Sequence, residues 1–349
     1  MTSRTVLVTG ANGFLGQVAA AQFSRAGWTT YGLTRKESSF PDLYRNEVIP
    51  VLGSAADPSF VKHLPTIDVV VNTTDDYRDA ARHFQHVTSL FKTVAATAKE
   101  RGGNKPLVLF TSGCKDYGMG SRHGDPNLKP HTEEDPINPP QLVAERTKAA
   151  LSVFDHAEEF DAVVFRPTTF YGRSGSLYSP FFTLAEQAAE TPERVLTLAT
   201  TPNSVLHGTH VDDVASAYVA VAQSPREAVA GQVFNVSNKM YETIGDIAAV
   251  VEKSYNIKVQ YKEPSGEKKV DIVDITINFP QWVGSEKLRK TTGWTDTKKS
   301  FIDGFEIYRK AYEQAVVDED RGVDKMRNSL AFARMSVEEQ AAIIAERGK

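Results

Sequence analysis

The chain has 349 residues, 40 Lys and Arg against 44 Asp and Glu, a formal charge of −4, and 41% hydrophobic residues. That length predicts one large domain with a smaller lobe, and the near-balanced charge excludes a broad nucleic-acid surface. The single cysteine, Cys114, excludes an intrachain disulfide and fits a reducing compartment. With no leader-like start and no twenty-residue apolar span, the expected address is cytoplasmic and the expected partner is a small-molecule substrate, with neither nucleic acid nor membrane.

Taken in chain order, a β-branched run at Val6-Leu7-Val8 enters Thr9-Gly10-Ala11-Asn12-Gly13-Phe14-Leu15-Gly16 and then an apolar helix over 14–26. Strand, glycine-rich turn and helix in succession form a dinucleotide site. Glycines permit the turn and the close approach of a pyrophosphate, which the helix N-terminus holds. The candidate cradle is Gly10, Asn12, Gly13, Phe14, Leu15 and Gly16. The second strand, 30–34, is followed by Arg35-Lys36. An acid at this point selects NAD, whereas a guanidinium accommodates a 2′-phosphate, so NADP(H) is expected ahead of NAD(H).

Further strands are expected at 68–73, 107–112 and 163–167, and helices at 80–101 and 141–159, the alternation of a parallel sheet. The fold class is therefore α/β, a Rossmann-like doubly wound parallel sheet with a smaller C-terminal substrate lobe. The Gly- and Pro-rich stretch 115–140 is a loop expected to overhang the substrate side. The division expected is 1–172 with 205–236 as the NADP-binding domain, 173–204 with 237–312 as the lobe, and 313–349 as a helical tail for packing or a homodimer contact.

The Gly-x-x-Gly-x-x-Gly spacing after Thr9, together with Tyr171-Gly172, His210-Val211-Asp212-Asp213 and 231–236 in the same order, resembles the extended short-chain dehydrogenase/reductase (NAD-dependent epimerase/dehydratase) family over residues 4–300 or so. The resemblance implies cofactor contacts from Asn72, Thr73 and Pro167, and an adenine contact from an acid after the third strand, where Asp57 follows Gly53-Ser54-Ala55-Ala56 in place of the family's Gly-Asp-Leu/Ile. It also implies a serine, and a tyrosine four residues before a lysine on one helical face. The matching helix reads Val143-Ala144-Glu145-Arg146-Thr147-Lys148. Lys148 then corresponds to the lysine, serving cofactor and catalysis, but Ala144 stands where the tyrosine belongs. None of the 12 tyrosines has a lysine four residues later. The position four before Tyr117 is Gly113, and a one-residue slip would restore Ser112.

A positioned general acid contributes about 10²–10⁴-fold in rate, so a working enzyme needs a replacement. Candidates are Tyr117, Tyr171 and Ser112, with Lys115 and Tyr178 behind them. Cys114 and His210 through Asp213 read as structural. The function expected is an NADP-binding oxidoreductase acting on a carbonyl or related group of a small organic molecule. The aromatic stretch from Phe170 to Phe182 points to an apolar or aromatic one. A non-redox isomerase, lyase or cyclase on the same fold, and a non-enzymatic NADP-sensing regulator, are the alternatives. No metal site is expected.

Overall fold

The computed structural model describes residues 4–76, 79–264 and 272–347. In chain order its first half runs β1 (Thr5–Thr9), α1 (Phe14–Arg25), β2 (Thr29–Thr34), α2 (Phe40–Arg45), β3 (Ile49–Leu52), β4 (Val69–Asn72), α3 (Ala80–Glu100), β5 (Leu107–Thr111), α4 (Gln141–Ser152) and β6 (Asp161–Pro167). The second half holds β7 (Thr169–Tyr171), α5 (Ser179–Ala189), β8 (Val195–Leu198), β9 (Val205–Leu206), β10 (Gly208–His210), α6 (Val211–Gln223), α7 (Arg226–Val229), β11 (Val233–Val236), β12 (Glu242–Thr243), α8 (Ile244–Tyr255), β13 (Lys258–Tyr261) and α9 (Ile272–Ile277). Four helices follow: α10 (Glu286–Thr292), α11 (Phe305–Val317), α12 (Arg321–Ala333) and α13 (Val337–Arg347).

Seven strands form one sheet in the order β11-β6-β5-β4-β1-β2-β3, every pairing parallel. Successive side chains of β1 alternate between two buried faces, Val6 and Val8 meeting α1 and α6 while Leu7 joins Val70, Val108 and the α3 residues Leu90 and Phe91. Both faces are covered, so the strands read as unbroken apolar runs. The strand order reverses between β1 and β4, and the C-terminal ends of the strands at that reversal form the crevice where open α/β sheets bind ligands.

The lobe has its own aromatic core. Tyr171, Tyr178, Phe181, Phe182, Phe301, Phe305 and Tyr312 are each at most 3% exposed, and their rings meet edge-on or tilted, as aromatic quadrupoles prefer. Tyr171, Tyr178, Phe181 and Phe182 belong to the stretch from which an apolar pocket is expected. They pack on one another instead, so their composition reports a core and carries no information about the substrate. The 205–236 stretch, expected to return to the sheet, does so only through β11. β9 pairs with β12 and β10 with β7, outside the main sheet. Residue 313 lies inside α11, and Val323 of α12 joins the lobe core, so the tail packs as part of the lobe.

The 115–140 loop lies against the lobe through backbone bonds from Gly120 to Pro280 O and from His131 to Trp282 O. With Asn203, Asn278 and Pro280 of the lobe, residues 119–127 line an open groove of about 970 Å³. No described helix is long and apolar enough to cross a membrane.

Candidate functional site

The turn after β1 is built by its glycines. Gly10 sits at φ 65°, in the left-handed region, and its carbonyl accepts from Gly13 N at 2.8 Å. A Cβ on Gly16 would fall onto that same carbonyl and within 2.6 Å of Thr73 Oγ1, so only glycine lets α1 start this close to the sheet. Gly13 caps α1 without a side-chain bond, and the first turn carries no acid. Its amides and the positive end of the helix dipole are thus left for an anion. Asn12 is exposed, Phe14 half-buried and Leu15 buried. Thr73 closes the neighbouring strand end by donating to Thr9 O at 2.6 Å. Asn72 is fully buried and its side-chain oxygen accepts from Thr9 and Thr74, so it braces the strand ends from within.

Arg35 and Lys36 emerge exposed at the end of β2, beside a 3₁₀ turn of Glu37–Ser39. Ser39 Oγ lies 3.2 Å from Asn12 Nδ2, joining this turn to the glycine loop. Asp57 is exposed, and its side chain accepts from Ser59 N at the start of the following turn. The Ser59 hydroxyl and backbone amide, with Lys62 nearby, hold its pKa below the ordinary carboxylate value. Pro167 ends β6 opposite Val236.

The end of β5 has a different character. Asp116 is fully buried and accepts from Ser112 Oγ at 2.7 Å, Thr147 Oγ1 at 2.7 Å, Arg146 at 3.0 Å and Arg166 Nε at 3.1 Å. Ser112 is therefore tied to a carboxylate, its hydroxyl proton already engaged. Tyr117 is buried too, donating to Asn235 Oδ1 at 2.7 Å and accepting from Arg166 Nη1 at 3.1 Å, with His131 stacked on its ring at 5.3 Å. Burial pushes its phenol up to about 12, opposite to what a proton donor needs at neutral pH. Tyr171 donates to Lys299 O at 2.7 Å and accepts from Asn238 within the lobe core, with burial holding its pKa well above the usual phenol value. Ser112, Tyr117 and Tyr171 all occupy structural networks.

α4 is the helix expected. Val143, Thr147 and Ala150 are buried, Ala144 is half-buried, and Lys148 is exposed, its side chain making no hydrogen bond or ion pair among the described residues. Arg146 is the side chain that turns to the β5 loop. It pairs with Asp116, and a Cβ on Gly113 would lie 3.2 Å from its guanidinium. The space of the expected serine is thus bordered by an arginine. One further cation faces the lobe. Lys115 Nζ donates to Ile275 O at 3.2 Å and lies 3.9 Å from the centroid of Phe279, and burial lowers its pKa to about 8.

Neighbouring groups of chemical interest are accounted for. Cys114 is buried and its thiol is raised to about 11 by desolvation. His210 Nδ1 caps α6 by accepting from Asp212 N, Asp213 accepts from Thr297 and Lys298 backbone amides, and His207 Nδ1 accepts from Val283 N. Arg173, at φ 54°, pairs with Asp212. No cluster of metal-ligating side chains exists among the described residues.

The model of the NAD dependent epimerase/dehydratase family matches residues 6–237, about two thirds of the chain. The chain belongs to that family. Solved structures agree in fold. The UDP-glucose 4-epimerase of Thermotoga maritima, solved with UDP-glucose, superposes with a TM-score of 0.67 at 17% identity, over 89% of this chain and 99% of that one. The dTDP-glucose 4,6-dehydratase of Bacillus anthracis, solved with NAD, gives 0.67 at 17%, over 89% and 97%. The UDP-glucuronic acid 4-epimerase of Bacillus cereus, solved with UDP-glucuronic acid and NAD, gives 0.66 at 19%, over 89% and 99%. No match was found among curated protein sequences.

Arg146 and Asp116 were not anticipated from the sequence, although a signal existed. Arg166 sits inside the apolar strand run Val163-Val164-Phe165, and an arginine in a buried strand requires a carboxylate partner. Nothing in the sequence announces Arg321, whose guanidinium reaches Ser38 and Ser39 from the far end of the chain.

Proposed function

We propose that the protein is an NADP(H)-binding oxidoreductase that acts on a carbonyl or related group of a small organic molecule in the cleft between sheet and lobe. The observation that carries the cofactor assignment is the glycine cradle at the uncapped start of α1, with the exposed Arg35 and Lys36 beside it. A bound nicotinamide supplies or accepts hydride. The chain's own residues hold the diphosphate on backbone amides, place Arg35 at the ribose, and exclude water by closing the loop 115–140 on the lobe.

The proton for the substrate oxygen comes from Lys115 in this reading. Its ammonium is part-buried between β5 and α9, and a pKa near 8 suits proton delivery close to neutral pH better than a phenol near 12 or an exposed lysine. Burial disfavours the charged amine, so giving up the proton relieves part of the desolvation penalty.

The test is a titration of the purified protein with NADPH and NADH, followed by a carbonyl-substrate screen read at the nicotinamide absorbance. Tighter NADPH binding with oxidation of the bound cofactor is expected; equal affinities would sink the NADP assignment. A second reading, a cofactor-sensing regulator, is favoured by one observation, the small side chain of Ala144 where the family has its acid. Turnover on any substrate would overturn it.

A further inference from the structure

We propose that Arg321, the first residue of α12, is a specificity-determining ligand of the 2′-phosphate of a 2′-phosphorylated adenosine, acting opposite Arg35. The inference rests on the NADP(H) reading above and extends it to a residue far along the chain.

Placement comes first. Arg321 Nη1 lies 3.3 Å from Ser39 Oγ and Nη2 lies 3.2 Å from Ser38 Oγ, and Ser39 Oγ is also the partner of Asn12 Nδ2. Asn12 belongs to the glycine loop, and Ser38 and Ser39 to the turn that follows Arg35-Lys36. In a dinucleotide fold these two segments flank the adenosine ribose. The guanidinium is therefore hooked to the turn after β2 and, through Ser39, is linked to Asn12 of the glycine loop.

The arm that carries it is fixed. Asp320 Oδ1 caps α12 by accepting from Gly322 N and Val323 N. A Cβ on Gly175 would fall onto the Gly322 backbone, and Val323 is buried in the lobe core. α12 can start here because Gly175 has no Cβ to meet the Gly322 backbone. A guanidinium held this way loses less freedom on binding a ligand than a free surface arginine would.

Charge supplies the third point. Arg321 is exposed, and both of its hydrogen bonds go to neutral hydroxyls. Among the described residues no carboxylate lies within ion-pair distance of it, Asp320 being turned to the helix amides and Glu37, the acid of the same turn, being exposed without an ion pair. A planar donor fork resting on two serine hydroxyls retains its charge for an anion, and guanidinium and hydroxyls are all phosphate ligands.

Half-cofactors test this directly. Binding of 2′,5′-ADP and of 5′-ADP is measured by calorimetry on the full chain, as wild type, Arg321→Ala, Arg321→Gln and Arg35→Ala, with a thermal melt for each. Wild type is expected to prefer 2′,5′-ADP at least tenfold, and both Arg321 variants to lose most of that ratio while 5′-ADP affinity stays within about twofold. Arg321→Gln retains amide donors for the serines, so it guards against misfolding of the arm. No preference in wild type would defeat the NADP(H) reading itself. An intact preference in both Arg321 variants, with Arg35→Ala losing it, would leave that reading standing and overturn the role of Arg321. Equal weakening of both ligands would also overturn it, marking a steric brace in place of a phosphate ligand.

Discussion

The two ends of the cleft obey different constraints. At the β1–α1 end, backbone does the work, and the positions that matter are those where a side chain must be absent: Gly10 for its φ and Gly16 for its contact with the Gly10 carbonyl. At the β5–α4 end, side chains do the work, and Asp116, Arg146 and Arg166 form an ion network beside Gly113 and α4. A backbone cradle tolerates almost no change, since a single methylene fills it. A side-chain site can be rebuilt on an unchanged scaffold, because each group is attached independently.

The contrast can be broken at several points. The largest effect is expected from Asp116→Ala, which leaves the buried Arg166 and the half-buried Arg146 without this carboxylate and should cost about 3–5 kcal/mol in urea unfolding. A loss below about 1 kcal/mol would mean that the network is not the frame of this end. Lys115→Met should lower turnover by about 10²–10⁴-fold with cofactor affinity unchanged. In the wild type, reduction should fall as pH rises through about 8, where Lys115 gives up its proton, and this inflection should vanish in the variant. Persistence of the same inflection in Lys115→Met would remove lysine from the proton path.

Gly16→Ala should destabilise by about 1–3 kcal/mol, the usual cost of overpacking, and weaken NADPH and NADH together. Arg35→Ala is expected to cost NADPH about 1.5–3 kcal/mol of binding, the range for a hydrogen bond to a charged group, and NADH almost nothing. The smallest effect belongs to Lys148→Ala, which should alter stability by less than about 0.5 kcal/mol, as for other exposed positions. Calorimetric titration of that variant with NADPH decides the register of α4. An affinity loss of tenfold or more would make Lys148 a ribose ligand after all, and an unchanged one leaves Arg146 as the functional cation of the helix.

How legible these ends were in the sequence follows from the same distinction. Gly10, Gly13 and Gly16 are local, and three spacings in one turn specify the strand, the helix and the anion site together. The helix over 80–101 and the strands at 68–73 and 107–112 were equally clear, because both sheet faces are buried and the apolar runs are unbroken. The site at β5 joins residues 112, 116, 146 and 166 through side-chain geometry, which no periodicity encodes. Alignment by Lys148 found the helix, but its i and i+4 spacing did not announce that Arg146, one position before Thr147, turns to Asp116. The aromatics from Phe170 to Phe182 misled for another reason: composition is the same for a core and for a pocket, and only the neighbouring Phe301, Phe305 and Tyr312 decide between them.

The contact of α12 with the turn after β2 also bears on the order of folding. The hydrogen bonds from Arg321 to Ser39 and Ser38 close loops of 282 and 283 residues, whereas the contacts that make the cradle, from Gly10 to Gly16 and Thr73, span far shorter stretches. Contacts of such separation form late, after the intervening chain has found its place, and a nascent chain exposes its N-terminal cradle first. Dinucleotide competence and discrimination between cofactors would then be acquired at different times, the first with the sheet and the second only when the last helices settle on the lobe.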